Sequence, residues 1–246
     1  MHATLAKPAA ESSPLFKARM AGFFWLMTIA TGMFGFIAGG RFIVAGDAAT
    51  TTANVVDHES LYRAAFIANL VATACYLAVT LFVYQLLKPV NRTAAAFVVL
   101  FSLMGCAVGL VSSLLFLAPL DFLSGASYLS TFTVAQLQAL ALAVLTLSLR
   151  LNDIGMAFFG LHVFSIGYLI RKSTFLPRLL GTLLFVAGCC YLASSFANFL
   201  ALPFRASLTP FVALGGLIGE GSLTGWLLVK GVNAQRWHQQ AAGNQD

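Results

Sequence analysis

Charged residues make up only 9% of this 246-residue chain, against 59% hydrophobic residues. A soluble domain carries roughly a quarter charged residues, so a water-facing globule of this length is excluded and lipid is the expected solvent. No polar stretch is long enough to form a separate soluble domain. The expected organisation is a single transmembrane bundle over 1–246, with 1–16 and 236–246 as flexible cytoplasmic tails. Cysteine is sparse as well. Cys75, Cys106, Cys189 and Cys190 all lie in apolar runs without C-x-x-C spacing, which suggests neither a disulfide framework nor a zinc site. They read as small packing residues. Histidine occurs four times, with one copy central, so a bis-histidine haem within the bundle would lack its second ligand. The chain has no His-Glu-x-x-His, no phosphate loop and no G-x-S-x-G elbow. No metal site and no cofactor are expected.

What the chain has in quantity is long apolar runs. A helix needs about 20 apolar residues to cross a hydrocarbon core of roughly 30 Å. Runs of that kind occupy 20–39, 61–87, 94–118, 154–170, 178–200 and 210–229, which predicts an all-α bundle of six spans. The first run follows Lys17 and Arg19, but it is longer than a signal-peptide core and lacks a convincing small-residue cleavage site. It reads as an uncleaved span. No internal repeat or low-complexity segment interrupts the series.

The net charge of +6 comes from lysines and arginines at span borders, with no basic cluster interleaved with aromatics, so nucleic acid is not an expected partner. Membrane lipid is. With the N-terminus inside, ten cationic residues fall on the inner side (Lys7, Lys17, Arg19, Lys88, Arg92, Arg171, Lys172, Arg178, Lys230, Arg236) and four on the outer (Arg41, Arg63, Arg150, Arg205). Asp47, Asp57, Glu59 and Asp121 also fall outside. Cytoplasmic loops are enriched in Lys and Arg, so the bias predicts N-in, C-in.

Residues 134–170 form an apolar stretch interrupted by Arg150, Asn152, Asp153 and Gly155. Two separate spans there would put Arg171, Lys172 and Arg178 outside. At 1.5 Å per residue, Arg150 and Arg171 are about 31 Å apart, one at each membrane border. One long fourth helix is therefore expected, opened by a Thr133-x-x-Gln136 capping box. Its outer half projects outward or bends at Asn152–Gly155. That half is too apolar to stand in water. It is expected to pack on the 41–60 loop, where Asp47–Val56 has the pattern of a short capped helix, or to lie along the membrane surface.

The border patterns Lys17-Ala-Arg-Met-Ala-Gly22, Lys88-Pro-Val-Asn-Arg92, Phe175-Leu-Pro-Arg178 and Trp226-Leu-Leu-Val-Lys-Gly231 resemble those of a bacterial multi-pass membrane family. So does Gly160-Leu-His162 followed by Gly167-Tyr-Leu-Ile170. The family is the one known as domain of unknown function 4386, and the likeness covers roughly residues 15–233. It implies a bacterial cytoplasmic (inner) membrane protein and carries no activity or site residues with it.

Ionisable groups within a span are costly and raise a functional question. His162 lies nine residues before Arg171 and Glu220 ten before Lys230, about 13.5 and 15 Å from the inner border. Both therefore sit near the midplane. They are expected to face one polar interior, linked directly or through water; the alternative is that each is satisfied locally. A second feature is a polar stripe on the second span: Tyr62, Asn69, Thr73, Tyr76, Thr80 and Tyr84 fall within about 60–80° of arc at 100° per residue. Such a face should line a pocket or a polar seam. Arg150 and Asp153 are spaced to pair with each other. Gly35-x-x-x-Gly39, Gly105-x-x-x-Gly109 and Gly215-x-x-x-Gly219 suit close helix contacts or a homodimer interface.

Three functions are compatible with these residues. The first is binding or transport of a small molecule, hydrophobic or otherwise, through His162, Glu220, Asn69, Thr73, Tyr76 and Thr80. The others are an intramembrane enzyme using His162 and Glu220, and a structural or regulatory membrane partner. The first is the preferred reading.

Overall fold

The computed structural model describes residues 13–243; the outer parts of both expected tails, 1–12 and 244–246, lie outside the described residues. Its helices are α1 (Pro14–Gly40), α2 (Ala48–Asp57), α3 (Glu59–Leu87), α4 (Arg92–Leu117), α5 (Pro119–Phe122), α6 (Val134–Lys172), α7 (Arg178–Phe199), α8 (Arg205–Val229) and α9 (Ala234–Gly243). No strand occurs among the described residues. Six of the helices are long and apolar enough to cross a membrane. Large apolar side chains such as Phe36, Leu114 and Leu217 are more than 60% exposed on the bundle's outside. Water would not tolerate that surface, and lipid requires it. The protein is a multi-pass membrane protein.

The six long helices form a ring in chain order. Each packs on its sequence neighbours, and α8 returns to α1. Contacts such as Gly35 with Asn69, Ser112 with Ser148 and Gly167 with Gly181 make neighbours antiparallel, so one end of the bundle carries Lys17, Lys88, Arg92, Arg171, Arg178 and Lys230. Local chemistry sets the helix ends. The Ser13 side chain accepts from the Phe16 amide with Pro14 in the first turn, the Asn91 side chain accepts from Ala94, and α7 starts directly after Pro177. α8 stops at Gly231, whose φ of +67° suits glycine, and whose amide donates to the Trp226 carbonyl at 2.9 Å.

The long fourth span is one unbroken helix of 39 residues, opened by a complete capping box between Thr133 and Gln136. It does not break at Asn152–Gly155. Its outer half has two supports. Against α4, Ser112 and Ser148 each donate to the other's carbonyl, at 2.9 and 2.8 Å. Against α2, Leu145 packs with Val55, Phe42 and Tyr62 in a small cluster of its own. Of the two placements open from sequence, packing on the 41–60 segment is the one found. α2 begins where Asp47 accepts from the amide and hydroxyl of Thr50, bonds that hold its carboxyl below the ordinary aspartate value.

Two expectations need correction. Asp153 takes its hydrogen bond from Asn198 of α7, at 2.9 Å, rather than from Arg150. The facing helix α7 brings a neutral amide within reach, and Asp153 is satisfied there. Residues 236–243, expected within a tail, are helical: Trp237 is buried, donates to the Leu86 carbonyl at 2.9 Å and lies under the Lys17 ammonium. An amphipathic helix with an indole on its apolar face has a reason to dock.

Candidate functional site

Glu220 sits in the middle of α8, and its carboxylate joins three helices. Trp25 Nε1 of α1 donates to Oε2 at 2.8 Å, and the Tyr191 hydroxyl of α7 donates to Oε1 at 2.6 Å. The residue is partly exposed, yet both donors are buried, Trp25 completely. Small residues let the backbones approach: Gly215 and Gly219 lie against Ala187 of α7, and Gly22 of α1 lies against Leu227 and Leu228 of α8. Neither hydrogen-bond partner of the carboxylate is a cation.

His162, fully buried on α6, faces the same interior from the far side of α7 in the ring. Its Nδ1 meets the Val98 carbonyl of α4 at 2.8 Å. A carbonyl can only accept, so Nδ1 carries a proton, and in the neutral ring Nε2 presents a lone pair. That Nε2 is buried and has no partner among the described residues. The ring of Tyr76, from α3, stands between the two sites. Its centroid is 5.3 Å from that of His162 and 6.4 Å from that of Trp25, and Phe159 packs edge-on at 5.0 Å. His162 and Glu220 are thus linked through aromatic rings, and each has a hydrogen-bond partner other than its counterpart.

The rest of the α3 stripe divides between neighbours. Thr80 bonds Ser102 of α4 at 2.6 Å as well as its own Tyr76 carbonyl. Asn69 and Thr73 donate to carbonyls one turn back, and Asn69 packs on Gly35 of α1. Tyr62 donates to the Phe116 carbonyl near the other end. Among the described residues, Tyr76 is the member of the stripe whose ring contacts those of His162 and Trp25. Of the glycine pairs, Gly35, Gly39, Gly105, Gly215 and Gly219 meet side chains of neighbouring helices within the chain, while Gly109 faces open space.

One participant, Trp25, and two nearby buried hydroxyls escaped the sequence reading. Trp25 carries a signal: it lies eight residues beyond Lys17, deeper than the interfacial belt where tryptophans collect, and a buried indole needs an acceptor. The two hydroxyls are those of Ser195 and Thr224, one turn from Tyr191 and Glu220 respectively. Both hydroxyls are buried without partners. Single hydroxyls among many give no such warning in sequence.

Two cavities are described. One of about 370 Å³ opens at the bundle end where α1 begins and α8 stops, between the α6–α7 loop and the turn from α8 to α9. The other, about 10 Å³ and walled by leucine, isoleucine and valine, lies beneath it. Neither touches Glu220 or His162.

The chain belongs to the family described as "Domain of unknown function (DUF4386)", which it matches over residues 20–231. An uncharacterized protein of Archaeoglobus fulgidus is 32% identical over 87 residues, 35% of this chain and 50% of that relative. The chain thus spans about half the length of the relative it matches. No solved structure matches it.

Proposed function

We propose that this protein binds a small hydrophobic amine in the centre of its bundle, with Glu220 as the principal contact, and serves its transport or retention in the membrane. The observation that carries the reading is a carboxylate within the spans whose two hydrogen-bond partners, Trp25 and Tyr191, are both uncharged. An ammonium is the complement of such a group. It brings the countercharge that the two uncharged donors do not, in an N⁺–H···O⁻ contact that is both ionic and hydrogen-bonded, and the rings of Trp25 and Tyr76 suit a cation's approach. The unpartnered His162 Nε2 supplies a further acceptor for a donor-bearing ligand.

Calorimetric titration of the full chain in phosphatidylcholine nanodiscs tests this. Benzylamine should bind saturably above the empty-nanodisc baseline. Benzyl alcohol and toluene should bind roughly tenfold or more weakly, as should benzylamine to Glu220→Gln. Equal binding of all three compounds, or no saturable amine binding, would sink the proposal. A second reading makes Glu220 a purely structural clamp for α1, α7 and α8. It is favoured by the fact that neither described cavity touches the carboxylate. On that reading, Glu220 variants lose stability and the native protein binds no amine.

The proposed setting is the cytoplasmic membrane of a prokaryote, a placement wider than bacteria because the relative above is archaeal. Both termini are proposed to lie inside, since the basic borders collect at their end of the bundle. In a cysteine-free background, Ser130→Cys should react with an impermeant maleimide on intact cells and Lys172→Cys only after permeabilisation. The reverse pattern would invert the topology.

A further inference from the structure

The 370 Å³ cavity stands apart from the buried centre and has a different chemistry. Its walls bring together the Phe175-Leu-Pro and Trp226-to-Gly231 patterns, far apart in sequence, and add Asn233 and Arg236 from the start of α9. Two cations line it, Lys230 and Arg236, and among the described residues no carboxylate does. Both cations are exposed. Among the described residues the Arg236 guanidinium makes one long contact, 3.4 Å from Nη1 to the Thr174 carbonyl, which uses one of its five donors. No ion pair on Lys230 occurs among the described residues.

The walls are fixed from several directions. The Asn233 amide donates to the Phe175 carbonyl at 3.2 Å, and the Asn233 side chain accepts from the Arg236 amide at 3.0 Å. Gln240 accepts from both the amide and hydroxyl of Thr174, at 2.9 and 3.0 Å, and Trp237 pins α9 to α3. Trp226, about one-third exposed at the end of α8, is placed as an interfacial aromatic. The floor is apolar, through Leu176 into the small gap below. The result is a preformed concavity at the level of lipid headgroups, cationic at its rim and apolar at its base.

We infer that this cavity binds a phosphate group carrying a small polar substituent, through Arg236 and Lys230. Arg offers the planar fork that matches phosphate oxygens, and Lys adds a point charge. The volume exceeds that of a bare phosphate ion and suits a glycerophosphate. The same chemistry is presented by a phospholipid headgroup at the membrane border and by a soluble phosphate ester. This site is independent of the amine reading.

The test has two arms on the full chain. In the first, glycerol 3-phosphate is titrated calorimetrically into protein held in phosphatidylcholine nanodiscs. In the second, native mass spectrometry of detergent-purified protein follows retention of added phosphatidylglycerol. Saturable binding in the first arm assigns a soluble ester, and selective retention over phosphatidylcholine in the second assigns a lipid. In whichever arm responds, Lys230→Gln/Arg236→Gln should weaken binding roughly tenfold or more. Arg19→Gln/Arg92→Gln, which removes equal charge from the same end outside the cavity, should leave it within about twofold, because screened surface charge falls off over about 10 Å. Arg236→Lys should fall between them, and thermal unfolding of each variant checks that the fold persists. Binding in neither arm, or equal loss in the control pair, would overturn the assignment.

Discussion

Gly188→Ala is expected to destabilise the bundle by about 1–3 kcal/mol, the usual cost of forcing extra methyl groups into a packed interface, and Gly188→Leu to prevent α6 and α7 from docking. A Cβ at Gly188 would lie 2.7 Å from the Phe164 amide nitrogen and 2.8 Å from the Gly160 carbonyl oxygen. These are backbone atoms of the facing helix, which cannot rotate aside. The reciprocal site behaves alike: a Cβ at Gly167 would sit 2.7 Å from the Gly181 carbonyl oxygen and from the Phe185 amide nitrogen. The two helices meet glycine to backbone along this line. Lipid tails are as apolar as side chains, so close packing of this sort is a main driving force for association within a membrane. Thermal unfolding in one detergent measures the effect, with Gly109→Ala as the control because nothing lies within 4 Å of its added methyl. If Gly188→Ala is as stable as the control, the close α6–α7 contact is wrong.

Glu220→Ala carries the second large effect. It removes the acceptor for both Trp25 Nε1 and the Tyr191 hydroxyl. Each orphaned donor costs about 1–3 kcal/mol when buried. The space left by the side chain adds to that, giving roughly 3–6 kcal/mol in all. Glu220→Gln should cost less, about 1–3 kcal/mol, because its carbonyl still serves one donor while its amide opposes the other. A double-mutant cycle with Trp25→Phe separates the contact from its surroundings. The coupling between Trp25 and Glu220 should fall within about 0.5–3 kcal/mol. Additive effects would mean that the indole and carboxylate do not meet.

How far the sequence disclosed this arrangement depends on which coordinate is asked for. That the two ionisable residues turn inward was legible: His162 and Glu220 both face the interior ring of aromatics. The spacing of Arg150 and Arg171 showed α6 to be one helix rather than two. Rotation about each helix axis beyond that was not legible, because the rotamers and neighbours that set it lie on other helices. The α3 stripe illustrates this. An arc of about 60–80° is wide enough to meet α1 on one flank and α4 on the other, so Asn69 goes to Gly35 and Thr80 to Ser102. Arg150 and Asp153 had the spacing to pair, but the competing amide of Asn198 comes from α7, beyond the reach of local pattern. The terminal cavity was likewise hidden, since its walls come from two connections far apart in sequence.

Because Glu220 is one of three glutamates in the chain, its side-chain carboxyl can be followed by name. Solid-state NMR of protein labelled with carboxyl-¹³C glutamate in bilayers, compared with Glu220→Gln, assigns its resonance. Titration with benzylamine should move that resonance and saturate, while those of Glu11 and Glu59 stay fixed. A Glu220 resonance that remains unmoved through the titration would contradict the proposal that this carboxylate receives a ligand, and would leave it as the clamp that holds α1, α7 and α8 together.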